Sequence, residues 1–203
     1  DLMADWETGF YSSTILPVLE DPANALSITQ ILQVLDVPPY AFDPPTSTNS
    51  LERLLWYNVY ATNDARAKLG GQPFDNVDRV YAGSEDDAAL NAGVARFRSD
   101  VTATVEIEDH YQTSGVLTVP LVTLHTTGDP VVSYRQVPVY RGKTLSADNI
   151  ALYRHFEADR YGHCSFTSGE VILAFSTLVD MVSNPPAYQP TRRLYLPSIA
   201  SAP

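Results

Sequence analysis

Between Thr118 and Pro130 the chain reads T-V-P-L-V-T-L-H-T-T-G-D-P, and no other stretch limits the fold so tightly. Pro120 opens it, the β-branched and apolar run Leu121-Val122-Thr123-Leu124 follows, and Gly128-Asp129-Pro130 stops it. A short apolar run bounded by proline and glycine is the pattern of a strand buried in a parallel sheet. Such a strand leaves Asp129 at its carboxyl end, the edge of open α/β sheets where ligands bind. A carboxylate there has a use if a histidine returns to meet it. His163 fits, lying in Arg160-Tyr161-Gly162-His163-Cys164-Ser165-Phe166-Thr167 just before a well-marked helix.

Val119 to Pro130 resembles the acid-bearing strand and loop of α/β-hydrolases, and Tyr161-Gly162-His163-Cys164-Ser165-Phe166 resembles their histidine loop. The 34-residue separation of Asp129 and His163 suits the intervening helix and last strand of that fold. Leu69-Gly70-Gly71-Gln72-Pro73-Phe74-Asp75-Asn76 and Leu90-Asn91-Ala92-Gly93-Val94 are similar to the helical lid of bacterial lipase- or esterase-like members. The resemblance implies catalytic roles for Asp129 as acid and His163 as base. In that family the order is Ser, Asp or Glu, then His, with the serine in a G-x-S-x-G elbow. No such motif occurs in the 203 residues, so the implied nucleophile lies outside this chain.

The expected fold class is therefore α/β: the C-terminal part of an α/β-hydrolase sheet preceded by a mostly helical lid. Residues 1–112 would form the lid or cap, 113–184 the C-terminal part of the core, and 185–203 an extended Pro-rich tail. The implied function is part of a serine hydrolase, acting on a small apolar carboxylic ester and using no cofactor or metal. Its implied partner is a nucleophile-bearing N-terminal half or a second copy of the chain. The alternative is a non-catalytic helical interaction domain whose Asp/His pair is a relic.

Composition narrows the classes further. Hydrophobic residues at 44% and charged residues at 18% fit a globular chain with a sizeable core. A net charge of −11 repels phosphate backbones and argues against nucleic-acid binding. Cys164 is the only cysteine, so there is neither an intrachain disulfide nor a cysteine-based zinc site. No apolar run approaches the roughly 20 residues that span a bilayer. No basic segment followed by an apolar one opens the chain, whose first residue is Asp1. These observations leave the compartment open, cytoplasmic or exported.

In chain order, Ile28, Ile31, Leu32 and Leu35 predict a helix with Ser27 as N-cap, ended by Val37-Pro38-Pro39. A loop over 38–49 leads to a second helix on Leu51, Leu54, Leu55 and Val59, then a short third from Asp64 to Leu69 closed by Gly70-Gly71. Residues 72–83 read as a loop. Ser84-Glu85-Asp86-Asp87 predicts a capped helix running to about Phe97, its acids complementing the helix dipole rather than binding metal. Ser99 to Tyr111 reads as another helix, with His110 at its exposed end. Pro138 argues against a central strand over 131–143, and Ile150 to Phe156 alternates as a final strand. Thr167 and Glu170 form a capping-box pattern before the stripe Val171, Ala174, Phe175, Leu178, Val179 and Val182.

His125 and His155 are rival bases, but each sits within a strand and reads as a packed residue. Cys164 neighbours His163, and adjacent turn residues seldom aim at one substrate, so it reads as a small packing residue. Trp6, Phe10, Tyr11, Trp56, Tyr57 and Tyr60 are the aromatic residues available to line a lid pocket, although aromatics at helical spacing more often build core.

Overall fold

The computed structural model describes residues 5–38 and 48–185. Most of the expected loop, from Pro39 to Ser47, and the Pro-rich tail from Pro186 onward lie outside the described residues. The chain is mixed: helices accompany a small two-stranded parallel sheet. Among the described residues no strand precedes Leu121.

The N-terminal part is built by stacking amphipathic helices. A wide helical segment, Trp6–Ile15, runs into α1 (Leu16–Glu20), and a turn at Pro22–Asn24 leads to α2 (Ala25–Leu35). Asn24, not Ser27, occupies the N-cap position of α2, because Asp21 already starts a helical turn by accepting from the Ala23 N–H at 2.9 Å. Asp36 ends α2 in the left-handed conformation, φ 52°, one residue before the expected stop. Ile28, Leu32 and Leu51 form the buried cluster, with Leu19, Val37 and Leu54 packed against it.

The second and third expected helices are one element, α3 (Thr48–Leu69). Asn63 and Asp64 do not break it. The Asn63 amide donates to the Val59 carbonyl at 2.8 Å, and Asp64 pairs with Lys68 one turn on at 2.8 Å. Gly70, at φ 71°, supplies the left-handed end.

The helix expected over 84–97 shrinks to α4 (Asp87–Gly93), capped by Asp86 rather than Ser84. The chain beyond it is diverted into a hydrogen-bonded knot. Buried Asn76 accepts from the Phe97 N–H at 2.6 Å and donates to the Ala95 carbonyl at 2.9 Å. Arg96 in turn donates to the carbonyls of Asn76, Arg79 and Asn91. Satisfying these backbone groups competes with continuing the helix. α5 (Val101–Glu106) then continues through Ile107–Tyr111, which covers most of the helix expected there.

The sheet follows. β1 (Leu121–Gly128) pairs in parallel with β2 (Tyr153–Tyr161), Thr123 opposite His155 and Thr126 opposite Ala158. Between them α6 (Gln136–Ser146) fills the region that Pro138 had made ambiguous. Pro138 sits in its first turn, where the backbone N–H has no intrahelical partner to lose. β2 begins at Tyr153, later than expected, because Ile150–Leu152 forms a single 3₁₀ turn. α7 (Ser168–Ser183) carries the expected capping box in full and packs against β1.

The stripe on α7 is not wholly buried, which departs from the usual burial of such a face. Met181 is buried and Ala174 and Leu178 are half-buried, but Val171, Phe175, Val179 and Val182 are exposed. The sheet beneath has only two strands among the described residues, too narrow to cover a helix of this length. The second edge of β1 carries no strand among the described residues.

Candidate active site

The two strands end side by side, and their exit loops are laced together. Gly162 donates its N–H to the Gly128 carbonyl at 3.1 Å. Thr126, fully buried, donates its hydroxyl to the Gly162 carbonyl. Gly128 allows this close approach: a Cβ there would lie 3.1 Å from the Arg160 carbonyl oxygen and 3.1 Å from Tyr161 Cα, tighter than ordinary contact. Gly162, at φ 118°, turns the chain in a conformation that side-chain-bearing residues avoid. Each glycine immediately precedes one of the two residues expected at the site.

Asp129 and His163 meet there, His163 Nδ1 lying 2.8 Å from Asp129 Oδ2. Asp129 also serves its own turn, Oδ1 accepting from the Val131 and Val132 N–H groups at 2.8 and 2.9 Å. Its side chain is 3% exposed and that of His163 40%. Burial pushes the Asp129 carboxyl upward, but the Val132 N–H, the His163 bond and the Val131 N–H outweigh it and hold the group below its ordinary value. An ionised Asp129 accepts from Nδ1–H, which leaves the lone pair of a neutral imidazole on Nε2.

The histidine loop is braced from β2. Arg160 donates to the Ser165 carbonyl at 3.1 Å and to Glu170 Oε1 at 2.5 Å, while Glu170 Oε2 accepts from the Thr167 N–H. The capping box of α7 and the strand end are thus joined through one guanidinium. Sequence reading passes over Arg160 and Thr126, since their partners depend on which loops the sheet brings together.

Cys164 is exposed, which corrects the reading of it as a packing residue. It adopts φ 52°, and its Sγ lies 3.6 Å from His163 Nε2. His125 and His155 stay within the sheet. His125 Nδ1 is 2.8 Å from the Thr126 carbonyl oxygen, and His155 Nδ1 is 2.8 Å from Thr123 Oγ1. Burial, then the neighbouring His125 charge, lowers the His155 pKa despite Glu157. Neither meets a carboxylate as His163 does.

A cavity of about 570 Å³ opens over His163, lined by Glu52, Arg53, Pro130, Tyr161, Gly162, His163 and Ser165. Its lining is largely polar rather than the apolar surface expected of a lid. None of the six aromatic residues proposed for that role lines it. Trp6 is buried against Phe10 and Tyr11, and Trp56 stacks on Tyr60. The helical part reaches the site instead through Glu52 and Arg53 of α3, and Asp36 pairs with Arg135 beyond β1 at 2.8 Å.

Among the described residues no group of three or more His, Cys, Asp or Glu side chains is placed to hold a metal ion. No helix among them is long and apolar enough to cross a membrane. No family model, curated protein or solved structure matches the chain.

Proposed function

We propose that Asp129 and His163 are the acid and base of a Ser-Asp-His hydrolase of the α/β-hydrolase kind, cleaving a carboxylic ester with a serine outside residues 1–203. The observation that carries this reading is the 2.8 Å contact from His163 Nδ1 to a buried, ionised Asp129 at the carboxyl ends of adjacent parallel strands. Asp129 fixes the tautomer and stabilises the imidazolium that forms. Nε2 takes the serine hydroxyl proton as the oxygen attacks the ester carbonyl, then delivers it to the leaving alkoxide. Water repeats the sequence to release the acid. The serine-bearing part would add strands at the open edge of β1 and cover the exposed face of α7. The helical residues 1–112 would act as the lid.

A second reading, a non-catalytic interaction domain that keeps the pair as a structural tie, is favoured by Val171, Phe175, Val179 and Val182 facing outward. Reaction with a fluorophosphonate separates the two. Under the first reading the gene encodes G-x-S-x-G upstream of Asp1, the chain joined to that segment is labelled, and His163→Ala removes the labelling. Residues 1–203 alone remain unlabelled, because both the nucleophile and part of the oxyanion hole come from the serine turn. Labelling of the isolated chain, at Ser114 or Ser165, would refute the external serine. Absence of labelling in the joined protein would favour the interaction domain.

A further inference from the structure

The cavity over His163 is bordered by a cation that has no partner among the described residues. Arg53 lines it, is exposed, and makes no ion pair or hydrogen bond among the described residues. Its place is set by its neighbours. Leu51, 3% exposed, and Leu54 insert into the α2 cluster and fix the rotation of α3, so Arg53 is carried at the cavity by a packed helix rather than a loop. Glu52, the other charged lining residue from α3, is already engaged. The Tyr11 hydroxyl is pushed up to about 12, by burial and then by the Glu52 carboxylate to which it is hydrogen-bonded.

We infer that Arg53 is a specificity residue that binds a carboxylate of the substrate, so that the molecule cleaved at His163 also carries a free carboxylate. This rests on the hydrolase reading for the cleavage, but not for the binding. A guanidinium offers donors in a planar fork that matches a carboxylate bidentately. Arg53 and His163 border the same cavity, so a small molecule anchored by its carboxylate at one lies over the other. Glu52 beside Arg53 and a net charge of −11 oppose a dianion more than a monoanion, which favours carboxylate over phosphate.

The test has two arms. In the first, residues 1–203 are titrated with glutaric acid monomethyl ester or uncharged methyl pentanoate while NMR follows the His163 ring and the Arg53 Nε–H. The half-ester is expected to shift both signals and the neutral ester neither. Arg53→Met should weaken half-ester binding by about tenfold or more, and Arg53→Lys less. Equal responses to the two esters, or unchanged binding in Arg53→Met, would overturn the inference. In the second arm, the protein joined to its serine-bearing segment is assayed on both esters. Arg53→Met should lower the half-ester to neutral-ester ratio of kcat/KM by about tenfold. Binding with no hydrolysis of either ester would sink the hydrolase reading while leaving the carboxylate site intact.

Discussion

The Gly162 amide donates to the Gly128 carbonyl at 3.1 Å, one residue ahead of His163 on one loop and of Asp129 on the other. This backbone contact sets the spacing at which the two side chains meet. A methyl group at position 128 would press on the Arg160 carbonyl and Tyr161 Cα and force the loops apart. Gly128→Ala is expected to destabilise the protein by about 1–3 kcal/mol, as overpacking of a tight contact does. A thermal melt measures that loss. The His163 Nδ1–H resonance should move toward its free position in the same variant, and an unchanged resonance would show that the glycine contact does not set the pair.

Asp129 gives the fold a dependence on acid pH with a defined sign. Its folded pKa lies below the ordinary value of 3.8, so its contribution is complete above that value. It is lost as pH falls through the lowered folded value. Asp129→Asn should therefore flatten the acid limb of denaturation measured between about pH 5 and pH 2. The variant retains an oxygen for the Val131 and Val132 N–H groups but cannot hold the imidazolium. If the pair serves the proposed hydrolase, Asp129→Asn in the protein joined to its serine-bearing segment should reduce kcat by about 10⁴, with folding largely retained.

His155 provides a second, separable titration. Its pKa is lowered from 6.5, chiefly by burial, so the folded state prefers the neutral ring. The associated stability is full above 6.5 and is lost as pH falls below it toward and through the folded value. Urea denaturation at about pH 7.5 and about pH 5 should show a larger drop for the wild type than for His155→Gln. Equal drops would mean that the ring charges without penalty.

Much of this architecture can be read from local chemistry. Pro120, the β-branched run and Gly128 delimit β1, and Thr167 with Glu170 marks the start of α7 to the residue. Elsewhere the deciding partner is remote in sequence. Nothing near Leu90 says that Asn76 and Arg96 will claim the backbone beyond Gly93, and nothing near Arg53 says that α3 will bring it to His163. The Asp129–His163 pairing is legible because both halves carry their own turn signals. Arg160 is not, because its role exists only once β2 and α7 are joined.

Cys164 places its sulfur 3.6 Å from His163 Nε2, the atom a serine hydroxyl would need. If serine is the nucleophile, Cys164→Ala should leave fluorophosphonate labelling of the joined protein intact. Iodoacetamide should modify the exposed thiol of the wild type without preventing the Asp129 contact. Loss of ester hydrolysis in a folded Cys164→Ala protein would transfer the nucleophile's role to sulfur.

The bridge between Asp36 and Arg135 has a consequence for how the helical part sits over the sheet. Both partners are well exposed, 59% and 68%, and they join the end of α2 to the segment just beyond Asp129. An ion pair in such contact with water is weakened by dissolved electrolyte, whose screening length is about 8 Å at physiological ionic strength. The Asp129–His163 contact, with its carboxylate buried, is screened far less. Raising ionic strength therefore weakens this bridge more than it weakens the Asp129–His163 contact, so the tie between the helical part and the sheet and the pairing of the two strand-end loops respond differently to salt.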